Sequence, residues 1–271
     1  MKRQIVDLII ERIKSELESE KDLVSLTPVG SFADKSKELE KFNDLDFVII
    51  LKKVTKNNLS KIRKAGKTLR TEFESNEIGI TSTSGIGPIK LKSRKPVTIM
   101  IHFLIYPLDK YSEYESVLTR YSFQSYCPLV GKSLKEISCI QEIKKDDLFN
   151  EIDGIPAMKK WITNAAIDCL EPNEGQYNVI NTILKNESYA EVMIYSVLRI
   201  ASNMLRLKGK FLGIDRDMCN EFIKNYSFSL NNLPLKILEM KERIRQGDKN
   251  ISPDLKNESM NFLEECENLL K

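Results

Sequence analysis

The segment "NDLDFVIIL", residues 43–51, constrains the fold more than any other stretch of the chain. Its second half, "DFVIIL" at 46–51, is an apolar run of strand length. Such a run needs cover on both faces, which is what a central strand of a sheet receives. At its mouth stand two carboxylates two positions apart, Asp44 and Asp46. Side chains alternate across a strand that rises about 3.3 Å per residue, so residues i and i+2 point the same way with Cα atoms about 6.5 Å apart. Unpaired carboxylates that close repel each other, and a hard divalent cation such as Mg²⁺ removes the repulsion by taking oxygen from both.

Upstream, "PVGSFADKS" places Gly30 and Ser31 a dozen or so residues before the acids. Glycine lets a backbone approach a phosphate closely, while a serine hydroxyl and the neighbouring amides of a turn can hydrogen-bond it. Mg²⁺ prefers one or two carboxylates, several waters and substrate phosphates to an all-protein cage. The two halves therefore complement each other, with Asp44 and Asp46 as candidate metal ligands and Gly30 and Ser31 as candidate nucleotide contacts. Each piece alone is common, as a turn and as a solvated strand end. The order helix, strand, Gly-Ser, loop, Asp-x-Asp, apolar strand is what gives the combination weight.

Periodicity fills in the rest of the layer. Ile5, Leu8, Ile9, Ile13 and Leu17 recur at helical spacing and predict a helix over 3–19; Ile62, Leu69 and Phe73 predict another over 58–74. "LVSLTPVG" is short and β-rich, "EIGITST" and "GPIKLK" flank a glycine turn, and "PVTIMIHFLIYP" at 96–107 is strongly β-branched. From about 145 the pattern turns helical. "IPAMKKWITNAAIDCL" puts Met158, Trp161, Ile162, Ala165 and Cys169 on one helical face, and "SYAEVMIYSVLRIASNMLRLKG" at 188–209 is a long apolar helix stopped by Gly209. Shorter helices follow, one opened by "SPDL". The expected fold is α/β of the α+β kind, with a mixed sheet and flanking helices over 1–144 and a helical bundle over 145–271.

Composition narrows the partners. The net charge of the 271 residues is only +3, which gives no global electrostatic case for duplex nucleic acid. No apolar run approaches the roughly 18 residues of a membrane span. The opening "MKRQIVDLIIERIKSELESE" is interrupted by acids and reads as an amphipathic helix rather than a leader. Five scattered cysteines without a Cys-x-x-Cys argue against a disulfide framework or a zinc site, and predict a reducing, cytoplasmic setting.

"VGSFADKS…NDLDFVII" resembles the polymerase-beta-like nucleotidyltransferase superfamily: an apolar residue, Gly-Ser, a variable loop, then Asp-x-Asp between apolar residues. The helical half, "NESYAEVMIYSVLRIASNMLRLKGKFLGIDRDMCNEFIKNY" followed by "LPLKILEMKERIRQG", resembles the C-terminal domain of the aminoglycoside (streptomycin/spectinomycin) adenylyltransferases, with Arg199, Gly209 and Lys210 at matching positions. The resemblance implies an enzyme that transfers a nucleoside monophosphate, with AMP from ATP expected, to a hydroxyl of a small-molecule acceptor such as an aminoglycoside-type antibiotic. Antibiotic resistance would be its setting. It also implies that Ser31 contacts the triphosphate and that Asp44 and Asp46 hold Mg²⁺. Nothing in the sequence assigns an oligomeric state.

Two departures stand out. Such enzymes carry a third carboxylate on a later strand, where "TIMIHFL" reads as placing Met100, with His102 two residues on and facing the same side. His102 is the chain's only histidine and is the candidate base or further metal ligand. The family's lysine after the glycine turn is replaced by Ile214. Glu187, Glu191 and Asp215 are acidic positions of the helical half that would suit a cationic acceptor. Two alternatives accompany this reading. One is a degenerate nucleotidyltransferase fold that binds nucleotide or protein without turnover, which Met100 favours. The other, less favoured, is a toxin-like nucleotidyltransferase acting on RNA or protein, for which "KLKSRK" at 90–95 is the only suitable basic cluster.

Overall fold

A computed structural model describes residues 2–33, 39–40, 42–87, 93–147, 154–184, 187–245 and 252–270. By internal contacts the chain divides into one unit of Met1–Glu142 with Cys169–Ile180 and another of Ile143–Asp168 with Asn181–Lys271.

The first unit opens with α1 (Lys2–Leu17) and β1 (Leu23–Val29), followed by a single 3-10 turn (Gly30–Phe32). Then come β2 (Phe42–Leu51), α2 (Lys56–Phe73), β3 (Ile78–Thr83) and β4 (Val97–Pro107). Short elements follow: α3 (Tyr111–Tyr114), α4 (Val117–Phe123), β5 (Val130–Gly131) and α5 (Leu134–Ile137). The sheet order is β3-β4-β2-β1-β5. β3, β4 and β2 run parallel, whereas β1 is antiparallel to both β2 and β5. This is the mixed sheet with flanking helices that the periodicity predicts.

The continuous apolar run of β2 is explained by its place in the middle of that sheet. Leu45, Phe47, Ile49 and Leu51 pack with Ile9, Ile13 and Leu17 of α1 and with Leu59, Ile62 and Leu69 of α2. The alternate residues Val48 and Ile50 lie in a second cluster with Leu104, Tyr106 and Tyr111. Parity therefore assigns Asp44 and Asp46 to the face away from α1 and α2. One expectation is corrected here. The strand begins at Phe42 rather than at 46, so both acids lie within the paired strand and not at its mouth. β4 supports this extension, pairing with β2 from Phe42 onward, whereas β1 meets β2 no earlier than Asp46.

The second unit contains α6 (Ile155–Asn164), α7 (Glu187–Leu207), α8 (Arg216–Asn225), α9 (Leu233–Arg245) and α10 (Leu255–Leu270). α7 is flanked by the other four. Its Val192, Met193, Ile194, Val197, Leu198, Ala201, Met204 and Leu205 are all buried, as expected of a helix enclosed on most sides. Asp215 caps α8 by accepting from the Met218 N–H at 2.9 Å. Just past the end of α7 stands Gly209, whose φ is +73°.

The segment "IPAMKKWITNAAIDCL" is not one helix. α6 stops at Asn164 because Ala165 turns left-handed at φ 48°, and a hairpin follows, β6 (Ala166–Asn173) and β7 (Gln176–Ile183). Cys169 is buried in β6 rather than on a helical face. The turn between the strands is Glu174-Gly175, with φ of 38° and 78°. A two-residue connection with positive φ at both positions matches the twist of a hairpin. Within the first unit, the far end of this hairpin holds to the sheet. Leu170 forms a bridge with Ile86, and the Tyr177 hydroxyl donates to the Ile105 carbonyl. Among the described residues no helix is long and apolar enough to cross a membrane and no cysteine forms a disulfide, with Cys127 and Cys139 exposed.

Candidate functional site

The site is assembled by register. In the parallel pairing of β2 with β4, Asp44 stands opposite Met100 and Asp46 opposite His102. Donor atoms of Asp44, Asp46 and His102 all lie within 4.8 Å of one another. The two acids are half-buried and His102 is 6% exposed. Met100, read from sequence as filling the place of a third acid, is fully buried and offers only a thioether. His102 completes the cluster instead.

Both imidazole nitrogens have defined surroundings. Nε2 lies 2.5 Å from the Gly85 carbonyl oxygen. A carbonyl only accepts, so Nε2 carries a proton and donates it. Nδ1 faces Asp46 Oδ1 at 3.1 Å. Gly85 follows β3 and is itself buried, which fixes the carbonyl and hence the ring. No side-chain pattern announces this contact, because the partner is backbone.

The Gly-Ser turn meets the same cluster. β1 ends with Val29 paired to Asp46, and Gly30 then departs at φ +75°. A Cβ on Gly30 would stand 3.0 Å from Asp46 Oδ2. Glycine is thus required on two counts, its left-handed conformation and its approach to the carboxylate. The Ala33 N–H closes the 3-10 turn on the Gly30 carbonyl at 3.2 Å. Ser31 belongs to that turn by its backbone; its side chain lies outside the described residues.

Asn43, not singled out from sequence, pins the entrance of β2. Its side chain is almost fully buried and donates to the carbonyls of Glu40 at 2.7 Å and Thr98 at 3.1 Å. Its Oδ1 accepts from the Glu40 N–H at 2.7 Å. The far end of the face that carries Asp44 and Asp46 is closed by rings. Tyr106 stacks edge-on against Tyr111, and its hydroxyl donates to Glu115 at 2.5 Å. Burial, followed by the Glu115 charge, holds the Tyr106 phenol well above its ordinary range. The face thus grades from aromatic to acidic over one strand length.

The remaining sequence candidates are not part of this cluster. Glu191 is partly buried on α7, Asp215 is occupied as a helix cap, and the side chain of Glu187 lies outside the described residues. Ile214 is exposed, while Lys210 pairs with Glu221. Of "KLKSRK", residues 90–92 lie outside the described residues, and Ser93 hydrogen-bonds Thr98.

Two carboxylates and an imidazole converging in this way fit a divalent cation. Adjacent ligands on an octahedral ion with bonds of about 2.1 Å lie about 3 Å apart. The Asp46 Oδ1 to His102 Nδ1 contact, 3.1 Å, is a hydrogen-bond distance that also suits that spacing, and the whole donor set lies within 4.8 Å.

No protein-family model and no curated protein sequence matches the chain. Among solved structures it is similar to the spectinomycin adenyltransferase from Enterococcus faecialis in a crystal structure with ATP and spectinomycin. The TM-score is 0.55 at 14% identity, over 97% of this chain and 98% of that one. The likeness shows the fold alone: the two chains share an architecture over nearly their whole length.

Proposed function

We propose that the protein is a metal-dependent nucleotidyltransferase that moves a nucleoside monophosphate, AMP from ATP, onto a hydroxyl of a small-molecule acceptor of the aminoglycoside type. In this reading residues 1–144 carry nucleotide and metal, and residues 145–271 carry the acceptor. The observation that carries it is the close approach of Gly30 to the Asp46 carboxylate, which belongs to the Asp44, Asp46 and His102 cluster. The fold shared with an adenyltransferase that binds ATP and spectinomycin supports it.

Asp44, Asp46 and His102 would hold the cation, which supplies positive charge to the triphosphate during displacement at the α-phosphorus. Gly30 presents backbone to a phosphate without a Cβ in the way, and the Ser31 hydroxyl is the proposed second contact. Asn43 and the Gly85 carbonyl position the acids and the imidazole. Since one nitrogen of His102 donates to Gly85 and the other faces Asp46, the histidine acts as a ligand and not as the acceptor's base.

The test is incubation with labelled NTPs, a divalent cation and a panel of hydroxyl-bearing acceptors, with pyrophosphate and labelled acceptor measured together. Acceptor-dependent release with ATP is expected. Nucleotide binding without release for any acceptor would replace this reading with a binding-only protein, which the absence of a carboxylate at Met100 favours.

A further inference from the structure

We infer that His102 Nδ1 is a direct metal ligand and that this nitrogen shifts the centre's preference from Mg²⁺ toward first-row transition cations, with Mn²⁺ as the working probe. The inference rests on the proposed metal centre and specifies its chemistry. Metal-ligating histidines characteristically donate their second ring N–H to a backbone carbonyl or a carboxylate, which fixes the tautomer and aims the other nitrogen. His102 has that arrangement: Nε2 donates to the Gly85 carbonyl at 2.5 Å, and Nδ1 points into the carboxylate pair. The ring has little freedom to turn away, being 6% exposed and held in β4 opposite Asp46.

The donor set follows from this geometry. Asp44 and Asp46 supply oxygen, His102 supplies nitrogen, and Met100 beside them supplies no oxygen at all. Mg²⁺ is a hard ion that favours oxygen throughout. Imidazole suits the borderline first-row ions, whose affinity for a nitrogen-containing site rises from Mn²⁺ onward along the series. Mn²⁺ stands lowest in that series and shares the liking of Mg²⁺ for carboxylate oxygen, but as a first-row ion it accepts imidazole more readily. Replacing one oxygen by nitrogen therefore disfavours Mg²⁺ more than Mn²⁺. An all-oxygen version of the same cluster would lack this bias.

The experiment uses the full chain and the metal alone. Mn²⁺ is bound to the protein and its pulsed electron-spin-echo spectrum recorded. Directly bound imidazole gives a strong nitrogen modulation. Because the chain holds one histidine, growth with histidine carrying the heavy nitrogen isotope must change that modulation, and this arm needs no variant. In parallel, calorimetry measures Mn²⁺ and Mg²⁺ affinities for the parent and for His102→Asp, with circular dichroism checking that the variant folds. The Mn²⁺ to Mg²⁺ affinity ratio is expected to fall on the order of tenfold in His102→Asp. Bound Mn²⁺ whose spectrum ignores the isotope, or a ratio unchanged in the folded variant, overturns the inference while leaving the metal centre in place. Failure of both ions to bind the parent overturns the metal centre itself.

Discussion

Phe47 and Asp46 are neighbours in β2, yet they belong to opposite faces of one sheet and do different work. On Phe47's face, the side chains of β2, β4, α1 and α2 form one apolar cluster. On Asp46's face the same strands begin with Asp44, Asp46 and His102 and pass to Val48, Ile50, Leu104 and Tyr106. From Leu45 onward the β2 side chains of the first face are uniformly apolar and exclude water. The second is divided, and the division falls between residues 46 and 48 of a single strand. A change of one position along the backbone therefore exchanges a folding role for a chemical one.

The largest expected effect is on the uniform face. Phe47→Ala removes a ring that is 1% exposed and touches Phe103 at a centroid distance of 6.2 Å. Urea unfolding should show a loss of about 3–5 kcal/mol. Whatever fraction remains folded should retain metal affinity. A comparable loss of metal affinity in the folded fraction would mean that the two faces are not separable.

Next is the residue beside it. Asp46→Asn keeps the shape but removes the charge, and in the proposed reading metal affinity falls on the order of a hundredfold, about 2.7 kcal/mol. Stability should change by less than about 1 kcal/mol, since the side chain is 25% exposed and closes no core. A large stability loss with unchanged metal affinity would make Asp46 a structural residue and break the contrast with Phe47.

The uniform face was the more legible of the two in sequence, for physical reasons. Ile9, Ile13 and Leu17, like Ile62 and Leu69, repeat at helical spacing, and β2 carries its apolar run in the open. Asp44, Asp46 and Gly30 were also legible, because a carboxylate pair and a glycine are unusual where a strand should be. The join between β2 and β4 was not. Whether Met100 or His102 stands nearest the acids depends on a register set by long-range pairing, which no local pattern encodes. The Gly85 carbonyl was invisible for a different reason, since every residue has one. The β6–β7 hairpin was missed because Met158, Ile162, Ala165 and Cys169 imitate a helical stripe. The signal against it was present in "PNEGQ", where a Glu-Gly pair suits a tight turn.

A smaller effect tests where the divided face meets the Gly-Ser turn. Gly30→Ala forces a side chain into a left-handed conformation, a strain of about 1–2 kcal/mol, and brings its Cβ to 3.0 Å from Asp46 Oδ2. Denaturation should register the strain. Metal and ATP titrations should both weaken, because the carboxylate has to shift. If ATP affinity is untouched while stability falls, the turn is a structural corner and not a phosphate contact.

The smallest effect probes the aromatic end of that same face. Tyr177 reaches from the hairpin to donate to the Ile105 carbonyl, and its ring packs 4.2 Å from that of Tyr114. Burial first, then neighbouring Tyr114 and Glu115, keeps its phenol protonated well beyond the ordinary tyrosine range. The bond therefore persists through the neutral and mildly alkaline pH range. Tyr177→Phe deletes this one hydrogen bond and keeps the ring, so the expected loss is about 1 kcal/mol. Metal affinity should be the same as in the parent, because Val48, Ile50, Leu104 and Tyr106 lie between this end and the acids. Equal metal affinity in Tyr177→Phe, set beside its loss in Asp46→Asn, would locate the boundary on this face between folding and chemistry. Reduced affinity in Tyr177→Phe would show that the aromatic end positions the acids, and the face would then have to be treated as one unit.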